Sequence, residues 1–212
     1  MIFLLDHMPN TELSVPNKEL VVRWSRWILG QSRNENPGID SEGSKCHNEQ
    51  PPDIWFLAGA FETKRNECVK RKCNVPYGRA LFFPLICEIA SSAEYPDINP
   101  LQLSGKAKEQ MNKIFNELNS DNWEITFDES SMVEGKSELE RFHVASSIFE
   151  IILPENNILH QKAGRYVAVA DGLWFVLKPP SGGSHHLHFG TDISSEQGST
   201  LDGEVDYILS IS

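Results

Sequence analysis

The sequence predicts a mainly β protein: an antiparallel β-sandwich, jelly-roll-like, with two peripheral helices. Three observations carry this reading. Short runs of apolar or alternating residues, each of strand length, recur along the chain between stretches rich in Gly, Pro and Asn. Helical periodicity is confined to two segments. Neither a dinucleotide fingerprint, a P-loop nor a regular βαβ alternation occurs. At 212 residues the chain fits one domain, residues 1–212, able to bury about 70% of the surface its unfolded form exposes.

The first element is helical. In NKELVVRWSRWILG, Leu20, Trp24, Trp27 and Ile28 fall on one face, Asn17 can cap the start and Gly30 can end it, so a helix near 17–29 is expected. Trp24 and Trp27 are a candidate ligand-binding pair, because two indoles can stack a sugar, but an apolar helical stripe is the commoner home of core aromatics. Residues 31–52 are polar and aperiodic, a long loop of the kind that is functional, tied down or disordered. Within it Asp40, Glu42 and Gly43 match only the opening of a calcium loop.

IWFLAGAF (54–61) and RALFFPLICEIA (79–90) follow as strands, and Pro84 predicts a bulge or an edge within the second. Alternation places Cys87 on one face with Leu81, Phe83, Leu85 and Ile89. LSGKAKEQMNKIFNELN is an amphipathic helix near 104–119, with Met111, Ile114, Phe115 and Leu118 inward. WEITF turns Trp123, Ile125 and Phe127 to the core, and residues 141–153 form one long strand or two short ones. In RYVAVADGLWFVLKP the Asp171-Gly172 dipeptide predicts a type I′ hairpin turn. EVDYILSIS closes the chain, alternating Val205, Tyr207, Leu209 and Ile211.

Charge restricts the partners. With 19 basic against 30 acidic residues the net charge is −11, which repels phosphate backbones and anionic lipid, so no nucleic-acid partner is expected. The basic cluster Lys64, Arg65, Lys70, Arg71 and Lys72 reads as a solvated loop face. No apolar run approaches the roughly 20 residues a bilayer requires, so no membrane insertion is expected. The start, MIFLLDHMPN, is too briefly apolar for a secretory signal, and none is expected in this chain.

Cys46, Cys68 and Cys73 lie in polar, loop-like sequence, where free thiols would be liabilities. A disulfide between two of them is expected, its pairing open. Structural zinc from Cys46, His47, Cys68 and Cys73 would lack the usual C-x₂₋₄-C spacing. Cys87 reads as a small buried hydrophobe. This cysteine usage leans towards an exported protein and leaves the compartment open.

SGGSHHLHFGTDI (181–193) gathers three of the chain's seven histidines. On a strand, His185, Leu187 and Phe189 share the core face and His186 and His188 the other. At about 3.4 Å per residue, His186 and His188 stand about 7 Å apart, the H-x-H spacing with which two imidazoles on one pleat converge on a divalent metal. A third ligand would have to come from His143, His160, Asp192 or Glu150. The competing reading, a strand that exposes two polar residues beside a Gly-rich turn, is preferred.

Several segments together resemble a family of uncharacterised, often exported prokaryotic proteins. They are Trp24 and Trp27, Cys46 with Gln50, IWFLAG, Cys73 followed by VPYGRALFFP, and DGLWFVLKPPSGGSHHLHFG, about two thirds of the chain. The resemblance implies a β-rich fold and a link between Cys46 and Cys73, and it brings no established activity. The family's last segment is similar to H-T-I-H-F: His185 and His188 match it, whereas His186 stands where the family has threonine. The H-x-H pair is therefore peculiar to this chain, which counts against a metal.

No G-x-S-x-G elbow is present, Glu88 and Glu94 read as solvated, and Asp171 reads as a turn residue. The expected function is a non-catalytic β-sandwich binding or structural domain, its partner a small molecule, a carbohydrate or a protein. The alternative is a metal-dependent enzyme built on His186 and His188.

Overall fold

A computed structural model describes residues 12–62, 67–193 and 203–212. It is mainly β. In chain order its elements are β1 (Leu13–Ser14), α1 (Lys18–Leu29), β2 (Ile54–Phe56), β3 (Cys68–Val75), β4 (Ala80–Ser91), α2 (Pro100–Glu117), β5 (Trp123–Phe127), β6 (Ser130–Ser131), α3 (Lys136–Leu139), β7 (His143–Ala145), β8 (Phe149–Leu153), β9 (Gly164–Leu177), β10 (Gly183–Thr191) and β11 (Gly203–Ile211). The first sheet has the order β1-β9-β4-β2, with β7 and β8 also paired to β9; the second runs β3-β11-β10-β5-β6. Most pairings are antiparallel, but β2 pairs β4 and β3 pairs β11 in parallel.

The sheets face each other across an aromatic layer. Phe83 of the first stacks on Phe189 of the second at 4.5 Å between centroids, with Phe175 and Tyr207 beside them. β11 buries Val205, Tyr207, Leu209 and Ile211, following its alternation, and β5 turns Ile125 and Phe127 into the same core. The other face of the first sheet is covered by α1, where Val21, Trp24 and Ile28 meet Phe82, Phe149 and Trp174. α2 covers the remaining part of the inner face, packing Leu103 and Ala107 on Ala90 and Val169.

α1 starts and stops where its caps predict: the Asn17 side chain accepts from Leu20 N, and the Gly30 N–H reaches Arg26 O. α2 begins earlier than its apolar periodicity. Asn99 and Gln102 form a reciprocal capping box with Pro100 at the first helical position, so the helix already includes Pro100, Leu101, Gln102 and Leu103. No helix among the described residues is long and apolar enough to cross a membrane.

Sequence readings are overturned in two places, the β4–β9 pair and β3. Asp171-Gly172 makes no turn: β9 runs unbroken from Gly164 to Leu177. Glycine is required there because β4 bulges between Pro84 and Ile86, and a Cβ on Gly172 would sit 2.6 Å from Ile86 O. The bulge that Pro84 predicts also inverts the alternation beyond it. Cys87 and Ile89 face the α1 side with Phe82, whereas Leu81, Phe83 and Leu85 face the sandwich interior.

The second place is the basic stretch. Lys64 and Arg65 lie outside the described residues, but Lys70, Arg71 and Lys72 belong to β3, and so do Cys68 and Cys73. Val69, Arg71, Cys73 and Val75 point inward, with Arg71 only 1% exposed. A cation at an inward position hides the period-two pattern. The Arg71 guanidinium donates to Asp40 O at 2.6 Å, Gly38 O at 2.9 Å, Ala58 O at 2.8 Å, Gly59 O at 3.1 Å and the Tyr207 hydroxyl at 2.9 Å.

Residues 31–52 are a tied-down loop. Cys46 and Cys73 form a disulfide, joining the loop to β3. Lys72 N donates to Glu42 O, and Gly43, at φ +91°, passes so close to Lys72 that a Cβ would lie 2.5 Å from its carbonyl oxygen. The Asp40 carboxylate accepts from Lys45 N and Glu42 N, closing the turn that resembles the start of a calcium loop. Since Cys46 and Cys73 are bonded to each other, a zinc set that includes both is excluded.

Two stability outcomes follow. The paired change Cys46→Ala and Cys73→Ala frees a loop spanning a sequence separation of 27, and loop entropy sets the loss at about 3–4 kcal/mol by denaturant titration. Arg71→Met strands buried carbonyls of the loop and of the segment after β2, together with the Tyr207 hydroxyl of β11, and is expected to cost about 3–5 kcal/mol in the same assay.

Candidate functional site

A partly enclosed concavity lies on the flank of α2. Met111, Asn112 and Phe115 form one wall; Glu140 and His143, from the 3₁₀ turn that leads into β7, form the other. Together they line a cavity of about 290 Å³. α2 commits Leu103, Ala107, Met111 and Ile114 to the core and leaves Phe115 partly buried beside them, so buried Met111 closes the cleft at its inner end and Phe115 extends its apolar wall. The Lys136 ammonium covers the Phe115 ring at 4.6 Å and donates to the Phe115 and Leu118 carbonyls, fixing the end of α2.

His143 links this cleft to the sheet beneath. Its Nε2 lies 2.5 Å from Asp171 Oδ1, and the Asp171 side chain is 4% exposed against 41% for His143. Asp171 is therefore a buried partner of a half-exposed imidazole, not a turn residue. Donation of a hydrogen bond to the Asp171 carboxylate pushes the His143 pKa up, against the opposing effects of burial and the Lys108 charge. Glu88 is the cross-strand neighbour of Asp171. Burial, and then the charge of Glu94, push its carboxyl above the ordinary carboxylate range, while Lys106 pulls the other way. Glu94 is also raised by burial, although it accepts a hydrogen bond from the Ser91 hydroxyl at 2.7 Å. Glu88, read from sequence as solvated, is partly buried instead, whereas Glu94 is exposed as that reading expects.

Chemically, the cleft offers an apolar wall, an amide, a carboxylate and an imidazole that can hold a proton. Among the described residues its lining side chains include no hydroxyl or thiol. A larger, shallower depression of about 410 Å³ lies between α1 and β8, beside Arg26, Glu150, Ile152 and Arg165. Its guanidinium groups are committed already, Arg26 to the Glu150 carbonyl at 3.0 Å and Arg165 to the Glu150 carboxylate at 3.1 Å.

The candidates from sequence fall into separate places. Trp24 and Trp27 are core residues, 0% and 6% exposed, with their indole N–H groups donating to Leu57 O and Asn48 O. They form no platform for a sugar. Trp55 and Trp174 are buried too, and Trp123 packs against the core. His185 points inward as expected, stacked on Phe127, with Nδ1 2.7 Å from Asp128 and Nε2 3.0 Å from Ser181 O.

His186 and His188 share the outward face of β10, and both turn to a residue that sequence spacing did not offer. His188 Nδ1 is 2.8 Å and His186 Nε2 3.3 Å from Asp206 Oδ1 on the neighbouring β11. Of the third ligands proposed from sequence, His143 is bound to Asp171, His160 lies beside Glu62 and Glu150 beside Arg165. Asp192 follows the end of β10, its N–H donating to Asn122 O. Asp206 could have been found only by pairing β11 with β10 in the correct register, which places it directly opposite His188.

No protein-family model matches the chain, and neither does any curated protein or solved structure.

Glu88→Gln tests the electrostatics beside Asp171, the partner of His143. A carboxyl raised in the folded state contributes stability below its unfolded pKa of about 4.3 and loses it as pH rises through the folded value. Glutamine mimics the protonated form, so the variant is expected to melt a few degrees above the parent at pH 8 and with it at pH 4. Equal shifts at both pH values would contradict a partly buried, proton-holding Glu88.

Proposed function

We propose that this protein is a non-catalytic β-sandwich binding domain whose ligand is a small amphipathic molecule seated between α2 and the 3₁₀ turn before β7. One observation carries the reading: a semi-enclosed cavity with apolar walls, Met111 and Phe115, on which three polar side chains converge, one of them an imidazole with a shifted pKa. Such a combination is the usual mark of a small-molecule site. The ligand would place an apolar ring against Phe115 and Met111 and a donor–acceptor head group towards Asn112, Glu140 and His143.

Among the described residues the lining holds no hydroxyl or thiol, which supports binding over covalent catalysis. The Cys46–Cys73 disulfide supports an oxidising compartment, hence export, in keeping with the proteins the motif pattern resembles. Burial of the tryptophans removes the support for a carbohydrate ligand.

The test uses methyl-labelled methionine. Benzamide-class fragments, which carry a ring, a donor and an acceptor, are expected to shift the Met111 methyl saturably with a Kd of about 1 mM or tighter, roughly −4 kcal/mol. The methyl of Met132, which does not line the cleft, serves as the reference. Asn112→Trp, on the exposed flank of α2, fills the cleft and should abolish the shift. A shift that survives this variant, or none at saturating fragment, would overturn the reading.

A further inference from the structure

The outward face of the second sheet holds a different chemistry. β3, β11 and β10 lie side by side there, and one donor from each meets at a single point. Cys68, Asp206 and His188 offer a sulfur, an oxygen and a nitrogen that lie within 4.8 Å of one another. His186 stands beside them, 3.3 Å from the same Asp206 oxygen that His188 approaches. From the far side, Glu124 on β5 comes within 3.8 Å of His188 Nε2.

We propose that Cys68, His188 and Asp206 form a site for a zinc-class divalent transition metal, with His186 as the fourth ligand. Donor chemistry sets the class. Thiolate and imidazole favour zinc, cobalt or copper, whereas calcium and magnesium require a shell of oxygens. Charge sets the valence: one thiolate and one carboxylate balance a dication, and the imidazoles bind neutral. Geometry requires little movement. Tetrahedral bonds of about 2.0–2.3 Å put donors roughly 3.3–3.6 Å apart, and the donors already stand on adjacent strands of one sheet. Asp206 and His188 are moreover 19% and 15% exposed, so the ion would sit partly shielded from water.

Binding would form one metal–sulfur, one metal–oxygen and two metal–nitrogen bonds. The proton on the Cys68 sulfur passes to solvent and the ion sheds its bound water. The Cys46–Cys73 bridge takes no part, and Cys87 lies on the other sheet, facing α1. The site is independent of the ligand cleft, since no residue is shared.

The experiment is a Co(II) titration of the full chain, without reductant. A thiolate-to-cobalt charge-transfer band saturating at one equivalent is expected, with Zn(II) bleaching it by competition. Cys68→Ser should remove the band, and His188→Gln should weaken binding at least about 10-fold, both with an unchanged circular dichroism spectrum. Cys87→Ser should leave the band intact. A protein that gives no band, or a band that survives Cys68→Ser or vanishes with Cys87→Ser, would overturn the site. Should Cys68→Ser unfold the chain, the double variant His186→Gln and His188→Gln decides instead: retention of full affinity would overturn the site equally.

Discussion

The buried guanidinium of Arg71 is the constraint from which much of this structure follows. A cation taken from water costs several kcal/mol unless every N–H finds a partner. Here the partners come from elements far apart in sequence: Gly38 and Asp40 in the long loop, Ala58 and Gly59 after β2, and Tyr207 on β11. All must be in place together. The Tyr207 hydroxyl donates on to Ala58 O at 2.8 Å and accepts from Ala58 N at 3.2 Å, so arginine and tyrosine jointly saturate the chain after β2. The disulfide, two residues along β3, then fixes the loop that Arg71 has already drawn in. Without these ties the polar residues 31–52 would have little apolar surface with which to offset their ordering entropy.

A second constraint works on the opposite sheet. The β4 bulge at Pro84 brings β4 and β9 so close that only glycine fits at position 172. Beyond the bulge, Glu88 and Asp171 become neighbours on the inner face, past the reach of the aromatic layer and at the edge of what α2 covers. An apolar pair there would extend the sandwich core. Two carboxylates instead need a counter-charge and an opening, and His143 supplies the first while the cleft supplies the second. The pairing of Glu88 with Asp171 follows from the change of face that the bulge imposes, and the contact of Asp171 with His143 ties that pair to a residue of the cleft.

What could be read from the sequence depended on the range of the interaction that decided it. Local patterns were legible: the capped stripe of α1, the alternation of β5 and β11, the bulge at Pro84, the opposite faces of His185 and His186. Patterns in which one residue breaks the rule were not. Arg71 inside β3 made a strand look like a basic loop, and the cap at Asn99 lies ahead of the apolar residues that betray α2. Asp171-Gly172 has the composition of a turn, yet its glycine answers a close approach from a strand some eighty positions earlier. The pairing of Cys46 with Cys73 was implied by resemblance alone, and residue spacing could not have supplied it.

The same distinction governs the candidate sites. The H-x-H pair was visible, since it lies on one strand, but its chemistry depends on Asp206 and Cys68, which reach it only through the registers of β10 with β11 and of β11 with β3. The sequence-stretch that supplies two histidines thus says nothing about the atom between them. A sheet resolves this by geometry: adjacent strands about 4.8 Å apart set side chains of unrelated segments at the spacing of neighbouring ligands. Because the backbone ladders hold those positions whether or not an ion is bound, such donors would be preorganised, and little ordering entropy would be lost on binding. The α2 cleft differs in this respect. One wall belongs to a helix flank, held on the sheet by the packing of Leu103 and Ala107, and the other to a 3₁₀ turn that runs into the β7–β9 ladder, so one side of its width is set by side-chain contacts and not by a ladder. Rigid donors suit an ion of fixed bond lengths, and an adjustable cleft suits an organic ligand of less exact shape; the two faces of this sandwich are built in those two ways.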